Sequence, residues 1–394
     1  DSAMPGCQVL IAKDGAVIFN RSYGYNTYDK KQPVTYNTIY DVASVTKVAG
    51  TLQAIMFLKE HGMLNMDAKA SKYLPELKGT NKKDLTIRHI ITHQAGLIPY
   101  IEYWRRTVDS SGMLSDSFYS KIKSEKFCNL VAFRMKTGMA TTDGKVPTLE
   151  GDLYSIAAME DSLWQWTINS EMRKKKRRRR YKYGYKYSDL GFYIMKRIAE
   201  KLLNQSIESF LEQNFYAPLG LHSLTYQPLR KFEMNKIAPT EYDTNFRKTL
   251  VWGTVHDPGA AMIGGVAGHA GIFSNANSLA VLMQMNMQHG YYGGMRYLKP
   301  ATIPEFTARQ FKKNRRGLGW DKPDPDGRGP TSNFASAHTY GHSGFTGTCV
   351  WVDPDHQLIY VFLSNRVHPD AFNTKLITKN IRTKIHDVIY RAIK

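Results

Sequence analysis

The chain has little cysteine and no long apolar run. Its 394 residues include only Cys7, Cys128 and Cys349, which lie far apart and form no C-x-x-C pair. An odd and scattered set argues against a disulfide framework or a zinc ribbon, and we expect three buried or partly buried thiols. No stretch of 18 apolar residues is present, so no transmembrane helix is predicted.

Two kinds of ligand motif are also missing. The glycine-rich segment 264–271 (GGVAGHAG) does not match G-x-G-x-x-G or a P-loop, which favours close backbone packing over phosphate binding. His89 and His93 have the spacing of metal ligands, but the glutamate of H-E-x-x-H is absent, and structural roles are favoured for both. We expect neither a metal nor a cofactor.

Positive charge, by contrast, is abundant. The net charge is +20, and eight of the positive charges lie in one run, residues 173–180, without which the balance is +12. Such a run could bind an anionic polymer or a membrane surface, or it could be a solvated surface loop. No base-reading motif accompanies it, so we expect no specific binding of nucleic acid.

The hydrophobic pattern predicts a β-hairpin near each end of the chain, with helices between them. Segments 8–12 and 16–19 flank one turn, and 348–352 and 358–363 flank another. Apolar periodicity predicts helices over 41–62, 190–203, 276–287 and 377–393. Residues 110–150 have little periodicity and suggest a long surface excursion.

This pattern predicts an α+β fold: an antiparallel sheet built from both chain ends and flanked by helices, plus a mainly helical lobe. We expect one domain over residues 1–394. The sheet lobe would comprise approximately residues 1–63 and 251–394, and the helical lobe approximately 64–250.

Ser44 and Lys47 form a Ser-x-x-Lys motif at the start of a long apolar run. Positions i and i+3 share a helix face, so the hydroxyl and the amine can meet there. A lysine whose pKa is lowered by burial can act as the base that activates a serine. Ser44 could equally be a helix N-cap. A second copy, Ser120 to Lys123, lies in a polar stretch and is interpreted as a solvated segment.

Two further motifs follow in the chain. Tyr187-Ser188-Asp189 precedes an apolar helix, so the phenol could shuttle a proton and Asp189 could hold Lys47, or the pair could simply pack and cap that helix. His342-Ser343-Gly344-Phe345 leads into the last hairpin. Its small residues would let a substrate lie along the strand, and the Phe345 N–H could join that of Ser44 in an oxyanion hole. The alternative is a glycine-rich strand start.

The order Ser-x-x-Lys, Tyr-x-Asp, His-Ser-Gly resembles that of the serine β-lactamase and penicillin-binding protein superfamily, most closely its class C branch, which includes D,D-carboxypeptidases and esterases. The segments 92–97 (THQAGL) and 216–221 (YAPLGL) resemble two further segments of that branch. The resemblance extends over nearly the whole chain and implies a β-lactamase/transpeptidase-like fold.

By resemblance, Ser44 is the acylated nucleophile, Lys47 its base partner and Tyr187 a general acid and base. Asp189, His342, Ser343, Gly344 and Phe345 would form the substrate-binding and oxyanion groups. The resemblance thus implies a serine hydrolase that uses an acyl-enzyme on amide or ester bonds, with a small-molecule or peptide substrate.

Two residues depart from the family pattern. His342 stands where β-lactamases carry lysine, and Asp189 replaces the commoner asparagine. Both changes favour cell-wall-peptide-like or small acyl substrates over β-lactams. An alternative is a catalytically silent module that binds peptidoglycan or another anionic envelope polymer. Similar domains follow family 3 β-N-acetylglucosaminidase modules, so the resemblance also implies a periplasmic or secreted bacterial protein with such a module before it.

Overall fold

The computed structural model describes residues 2–133, 151–175, 183–327 and 329–393. Its strands are β1 (Gly6–Lys13), β2 (Ala16–Gly24), β3 (Tyr40–Asp41), β4 (Tyr119–Ser120), β5 (Phe127–Ala132), β6 (Leu153–Ile156), β7 (Thr225–Tyr226), β8 (Tyr242–Asp243), β9 (Thr249–Leu250), β10 (Ile272–Ser274), β11 (Tyr291–Tyr292), β12 (Met295–Arg296), β13 (Tyr340–Ser343), β14 (Cys349–Asp353) and β15 (Leu358–Ser364). Its α-helices are α1 (Leu52–Glu60), α2 (Ala70–Tyr73), α3 (Ile87–Ile91), α4 (Met159–Ile168), α5 (Leu190–Leu203), α6 (Ile207–Leu211), α7 (Pro258–Met262), α8 (Ala276–Met287), α9 (Thr302–Thr307), α10 (Lys375–Thr378) and α11 (Ile381–Ala392).

The main sheet has five antiparallel strands in the order β13-β14-β15-β1-β2. Strand β1 pairs with β15, so that Val9 lies opposite Phe362 although the two are more than 350 residues apart. Asp14 and Gly15 both have positive φ and close the first hairpin, as a tight hairpin turn requires. The sheet is therefore built from both ends of the chain, which confirms the predicted fold class.

Alternation along the strands gives the sheet two apolar faces. Leu10 and Val361 belong to the large core shared with the helices, whereas Val9 and Phe362 pack in a separate cluster with Ile389 of α11. Successive side chains of a strand point to opposite faces, so each strand contributes to both layers. Helices therefore cover the sheet on both sides.

The predicted helix over 41–62 is three segments rather than one. Residues Ala43–Val45 form a 3₁₀ turn, Lys47–Thr51 form a wide π-helical turn, and α1 follows. A Cβ on Gly50 would lie 2.8 Å from Ile272, so the wide turn packs closely against β10. Turns of this kind re-aim side chains relative to a regular α-helix, and they often occur at functional sites.

Three other expectations need correction. The region predicted as an irregular excursion contributes β4 and β5 to a small sheet with β6, because Val131 and Leu153 bury apolar side chains in a second core cluster. The closing helix begins at Ile381 rather than 377, after Asn380 takes a left-handed conformation. Cys128 is exposed and not buried, since it lies on the short strand β5.

Helices α5 and α8 have the predicted bounds. None of the helices in the described ranges is long and apolar enough to cross a membrane. Residues 134–150, within the predicted excursion, and most of the basic run, 176–180, lie outside the described residues. The division into a sheet lobe and a helical lobe at the predicted boundaries stays a prediction.

Candidate active site

The turn that carries Ser44 is fixed from both sides by buried hydrogen bonds. The Asp41 carboxylate accepts from the backbone N–H groups of Ala43 and His256, each at 2.7 Å. The hydroxyls of Thr346 and Thr348 donate to the carbonyls of Asp41 and Val42, at 2.7 and 2.9 Å. Ala43 has φ +47°, which is rare for a residue with a Cβ and persists only where the surroundings enforce it.

Ser44, Lys47, Tyr187 and Asp189, which the sequence places in two separate motifs, meet in one cluster. The Lys47 ammonium donates to Ser44 Oγ at 3.0 Å and to Asp189 Oδ1 at 2.7 Å. The Tyr187 hydroxyl donates to Ser44 Oγ at 2.8 Å. From Asp41 to Gly50 every residue is buried except Ser44, which is partly exposed. The arrangement therefore presents one partly exposed hydroxyl in front of a buried amine and a partly buried phenol.

The electrostatics differ from the expectation that burial lowers the pKa of Lys47. Burial does oppose the charged form, but the Asp189 carboxylate and Tyr187 outweigh it and hold the pKa of Lys47 above its usual value. Burial also raises the pKa of Tyr187, and the nearby Lys47 charge offsets this only in part. At neutral pH the lysine is therefore charged and the tyrosine is neutral.

The glycine-rich segment 264–271 supplies a third acceptor for Lys47. The carbonyl of His269 accepts from Lys47 Nζ at 3.2 Å, and that of Gly268 accepts from the Thr51 hydroxyl at 2.7 Å. A Cβ on Gly268 would lie 2.3 Å from the carbonyl oxygen of Phe192, so only glycine allows this approach. The His269 ring is itself held by Asp257, with Nε2 3.0 Å from Oδ1. The glycines thus provide the close backbone packing that the sequence predicted.

The end of β13 reaches the same turn. His342 lies beside Tyr187, with ring centroids 5.9 Å apart, and Ser343 ends the strand. A Cβ on Gly344 would lie 2.4 Å from the Val42 carbonyl, which shows how closely this strand approaches the turn before Ser44. Phe345 is exposed. The structure thus brings the third predicted motif to the first two.

His342 is buried and uncharged. Burial, together with the charges of Arg316 and Lys47, holds the pKa of His342 well below its usual value. Its Nδ1 lies 2.8 Å from the Ser343 carbonyl, and Nε2 has no hydrogen-bond partner within the described ranges. The site therefore lacks the positive charge that a lysine would bring to this position.

Arg316 and His93 are site residues that the sequence analysis missed. The Arg316 guanidinium lies 5.4 Å from the centre of the Tyr187 ring and 3.3 Å from Asp321. The His93 ring packs on Tyr187 at 4.5 Å, and His93 Nδ1 accepts from the Ser188 N–H at 3.2 Å. His93 was interpreted as structural, and its contacts with Tyr187 and Ser188 give it a supporting role at the tyrosine. Arg316 lies in a basic stretch with no motif, so no sequence signal marked it.

Comparison with known proteins identifies the family to which the chain belongs. The family model described as Beta-lactamase matches residues 1–381, which is most of the chain. The chain belongs to the β-lactamase family. A relative from Salmonella typhimurium named "Putative D-alanyl-D-alanine carboxypeptidase" is 30% identical over 95% of this chain and 82% of its own length. Because the chain belongs to this family and is related to the Salmonella protein, it is a serine hydrolase.

Solved structures of the family agree in fold. A class C β-lactamase superimposes with a TM-score of 0.62 at 18% identity, covering 99% of this chain and 93% of its own. EstCE1, described as a hydrolase with promiscuous acyltransferase activity, gives 0.65 at 19% identity over 99% and 94%. At such identities the likeness concerns the fold, and it confirms the β-lactamase/transpeptidase-like architecture.

Removal of the Asp189 carboxylate tests the ion pair in this β-lactamase-family site. In the Asp189→Ala variant the Lys47 ammonium stays buried without a counter-charge, and we expect the free energy of unfolding near neutral pH to fall by about 3 kcal/mol. In the variant, burial holds the pKa of Lys47 in the folded state below the value of about 10.4 in the unfolded chain. Between these two pKa values the unfolded chain binds more protons than the folded chain, so the stability of the variant rises with pH. Urea denaturation from neutral to alkaline pH should show the deficit narrowing as pH rises.

In the parent the pKa of Lys47 is raised in the folded state, so its stabilising contribution is complete below the unfolded pKa of about 10.4 and declines only as pH rises from there through the folded value. Asp189→Asn serves as the matched variant, because it keeps an acceptor for Lys47 but removes the charge, and we expect an intermediate deficit. A deficit that is the same at every pH would show that Lys47 does not cause it.

Proposed function

We propose that Ser44 is the nucleophile that becomes acylated, with Lys47 and Tyr187 as its proton-transfer partners. One observation carries the proposal: Ser44 Oγ lies 3.0 Å from the Lys47 ammonium and 2.8 Å from the Tyr187 hydroxyl, in an otherwise buried turn. A serine hydroxyl reacts only when a neighbouring group takes its proton, and both partners are within reach.

The protonation states indicate how the site is activated. Both neighbours donate to Ser44 Oγ in the resting site, so neither is ready to accept a proton. The Lys47–Tyr187 pair must therefore lose one proton to solvent before Ser44 can give up its own. The two groups titrate as a coupled pair, and the rate of acylation increases with pH until that proton has left.

The reaction then proceeds in two steps. Ser44 Oγ bonds to the substrate carbonyl carbon while its proton passes to the Lys47–Tyr187 pair, and the tetrahedral intermediate expels the amine or alcohol, which takes a proton from Tyr187. Water cleaves the acyl-enzyme by the reverse transfers. The N–H groups of Ser44 and Phe345 bind the oxyanion, and Gly344 permits the close approach of the strand that this requires.

The substrate is an amide or ester with a cell-wall-peptide-like or small acyl group. His342 and Ser343 line the substrate edge, and His342 is uncharged. Asp189 adds a carboxylate behind Lys47. Arg316, whose charge acts on His342, is paired with Asp321. These charges favour substrates that need no strong ionic anchor at the position of His342, and so disfavour β-lactams.

Covalent labelling tests the nucleophile. We expect a fluorophosphonate probe or a fluorescent penicillin to label the parent, and mass spectrometry to locate the adduct on the peptide that contains Ser44. Ser44→Ala should lose the label, because no other hydroxyl in the cluster is activated in the same way. Ser120→Ala is the matched control: it removes the serine of the second Ser-x-x-Lys motif and should label like the parent. Labelling that persists in Ser44→Ala would overturn the assignment.

A substrate panel tests the predicted preference. We expect kcat/KM for p-nitrophenyl acetate or a D-Ala-D-Ala-terminated peptide to exceed that for nitrocefin by about tenfold or more. This ratio corresponds to the loss of one charge-assisted hydrogen bond to the β-lactam carboxylate. The Ser44→Ala variant gives the background for each substrate. Equal or faster turnover of nitrocefin would identify a β-lactamase instead.

We further propose that the protein works in the bacterial envelope, periplasmic or secreted, and follows a family 3 β-N-acetylglucosaminidase module. The support is the name of the Salmonella relative and the sequence resemblance. Subcellular fractionation of the native host, combined with the reading frame upstream of Asp1, checks both points. Enzyme confined to the cytosol would contradict the location, and an upstream frame without a glycosidase would contradict the fusion.

A further inference from the structure

A second cavity lies away from Ser44, at the other end of β13. Its volume is about 970 Å³, within the range of small-molecule sites. It opens between the end of α8, helix α9 and the segments 322–327 and 329–338. Much of its wall is apolar, formed by Met287, Ile303, Pro304, Ala308, Pro323 and Ala335.

Lys322 lines this cavity and is 4% exposed. Its ammonium donates only to two backbone carbonyls, of His338 at 3.3 Å and Thr339 at 3.1 Å. No carboxylate lies within ion-pair distance of it among the residues that the structure describes. Burial, reinforced by the charge of Arg309, lowers the pKa of Lys322 to about 8. A buried ammonium without a counter-ion is costly, and an anion in the cavity would relieve that cost.

Lys82 is another buried lysine, and its ammonium has a full set of hydrogen-bond acceptors, which the ammonium of Lys322 lacks among the described residues. Lys82 is also fully buried, and burial lowers its pKa to about 8 as well. Its ammonium is held by three acceptors, Asn81 Oδ1 at 2.9 Å and the carbonyls of Ile168 and Ser170 at 3.1 and 2.6 Å. It does not line the 970 Å³ cavity. An ammonium needs three acceptors, and Lys322 has two.

Tyr340 adds a second unsatisfied group to the same wall. It is 2% exposed and lines the cavity, and its hydroxyl has no hydrogen-bond partner in the described part of the chain. A buried hydroxyl without a partner is destabilising, and native proteins rarely leave one without a reason. Tyr340 and Lys322 therefore both leave donor capacity unused in the wall of the same cavity.

The other charged side chains around the cavity also favour the binding of an anion. Among the described residues, Arg309 donates only to the Pro323 carbonyl, at 3.4 Å. The two carboxylates that line the cavity have partners of their own: Asp355 lies 2.9 Å from the His338 ring and Asp324 lies 4.0 Å from Arg315. The cations Lys322 and Arg309 have no such partners in the described structure.

We propose that this cavity binds an amphipathic organic acid, with its carboxylate at Lys322 and Tyr340 and its apolar body along the wall of Met287 and Ile303. The site is distinct from the reaction centre. Tyr340, at one end of β13, lines the cavity, and Ser343, at the other end, lies near Ser44. Between these two ends the backbone of Gly341 is paired with that of Asp321 by two hydrogen bonds, of 2.8 and 3.0 Å. The inference therefore does not depend on the proposed hydrolase mechanism.

Calorimetric titration of the whole chain with octanoate, 1-octanol and octylamine tests the proposal. We expect octanoate to bind and the neutral and cationic analogues to bind at least about tenfold more weakly, the value of a charge-assisted hydrogen bond. Lys322→Met keeps the length of the side chain and should weaken octanoate binding by a similar factor. Tyr340→Phe removes only the unpartnered hydroxyl and should weaken it by about threefold.

Lys82→Met is the matched control, because it removes a buried lysine of similar pKa outside the cavity, and it should bind octanoate as the parent does. If Lys322→Met does not fold, the Tyr340→Phe titration and the comparison of the three ligands still decide the question. Octanol binding as tightly as octanoate, octanoate binding unchanged in Lys322→Met or in Tyr340→Phe, or no octanoate binding at millimolar concentration would each overturn the proposal.

Discussion

The ammonium of Lys47 is the group on which the arrangement of the site depends. It is fully buried, and a buried ammonium must satisfy its three N–H groups. The three acceptors are Ser44 Oγ, Asp189 Oδ1 and the carbonyl of His269, which come from three segments far apart in the sequence. One charge therefore ties together the turn that carries Ser44, the start of α5 and the glycine-rich segment. Loss of any acceptor would leave a buried charge short of a partner.

The same ammonium sets the chemistry of its neighbours. It pairs with Asp189, approaches the face of Tyr187 and helps to keep His342 neutral. Arg316 shifts the pKa of His342 in the same direction, while Asp321 balances Arg316. The site thus holds its positive charge behind the tyrosine and not at the substrate edge. That distribution separates this chain from the lysine-containing pattern of the β-lactamases it resembles.

Motifs and strong periodicity were enough to predict the central architecture. The terminal hairpins, α5, α8 and the meeting of Ser44 with Tyr187 and His342 all follow from local patterns and chain order. The break of the 41–62 helix did not follow, because it depends on tertiary contacts at Asp41 and Gly50 that leave no local mark. The sign of the Lys47 pKa shift was also wrong, since burial was anticipated but the strength of its pairing with Asp189 was not. Arg316 was missed because its role arises from position alone.

The pairing of β1 with β15 has a consequence for biosynthesis. The turn before Ser44 is held by the hydroxyls of Thr346 and Thr348, which follow it by 305 and 306 residues. Contacts so distant in sequence form slowly and only after the loop between them has closed. A nascent chain therefore carries the serine and the lysine before it carries the framework that aligns them. The ordered site is withheld until the segment with these two threonines has been made.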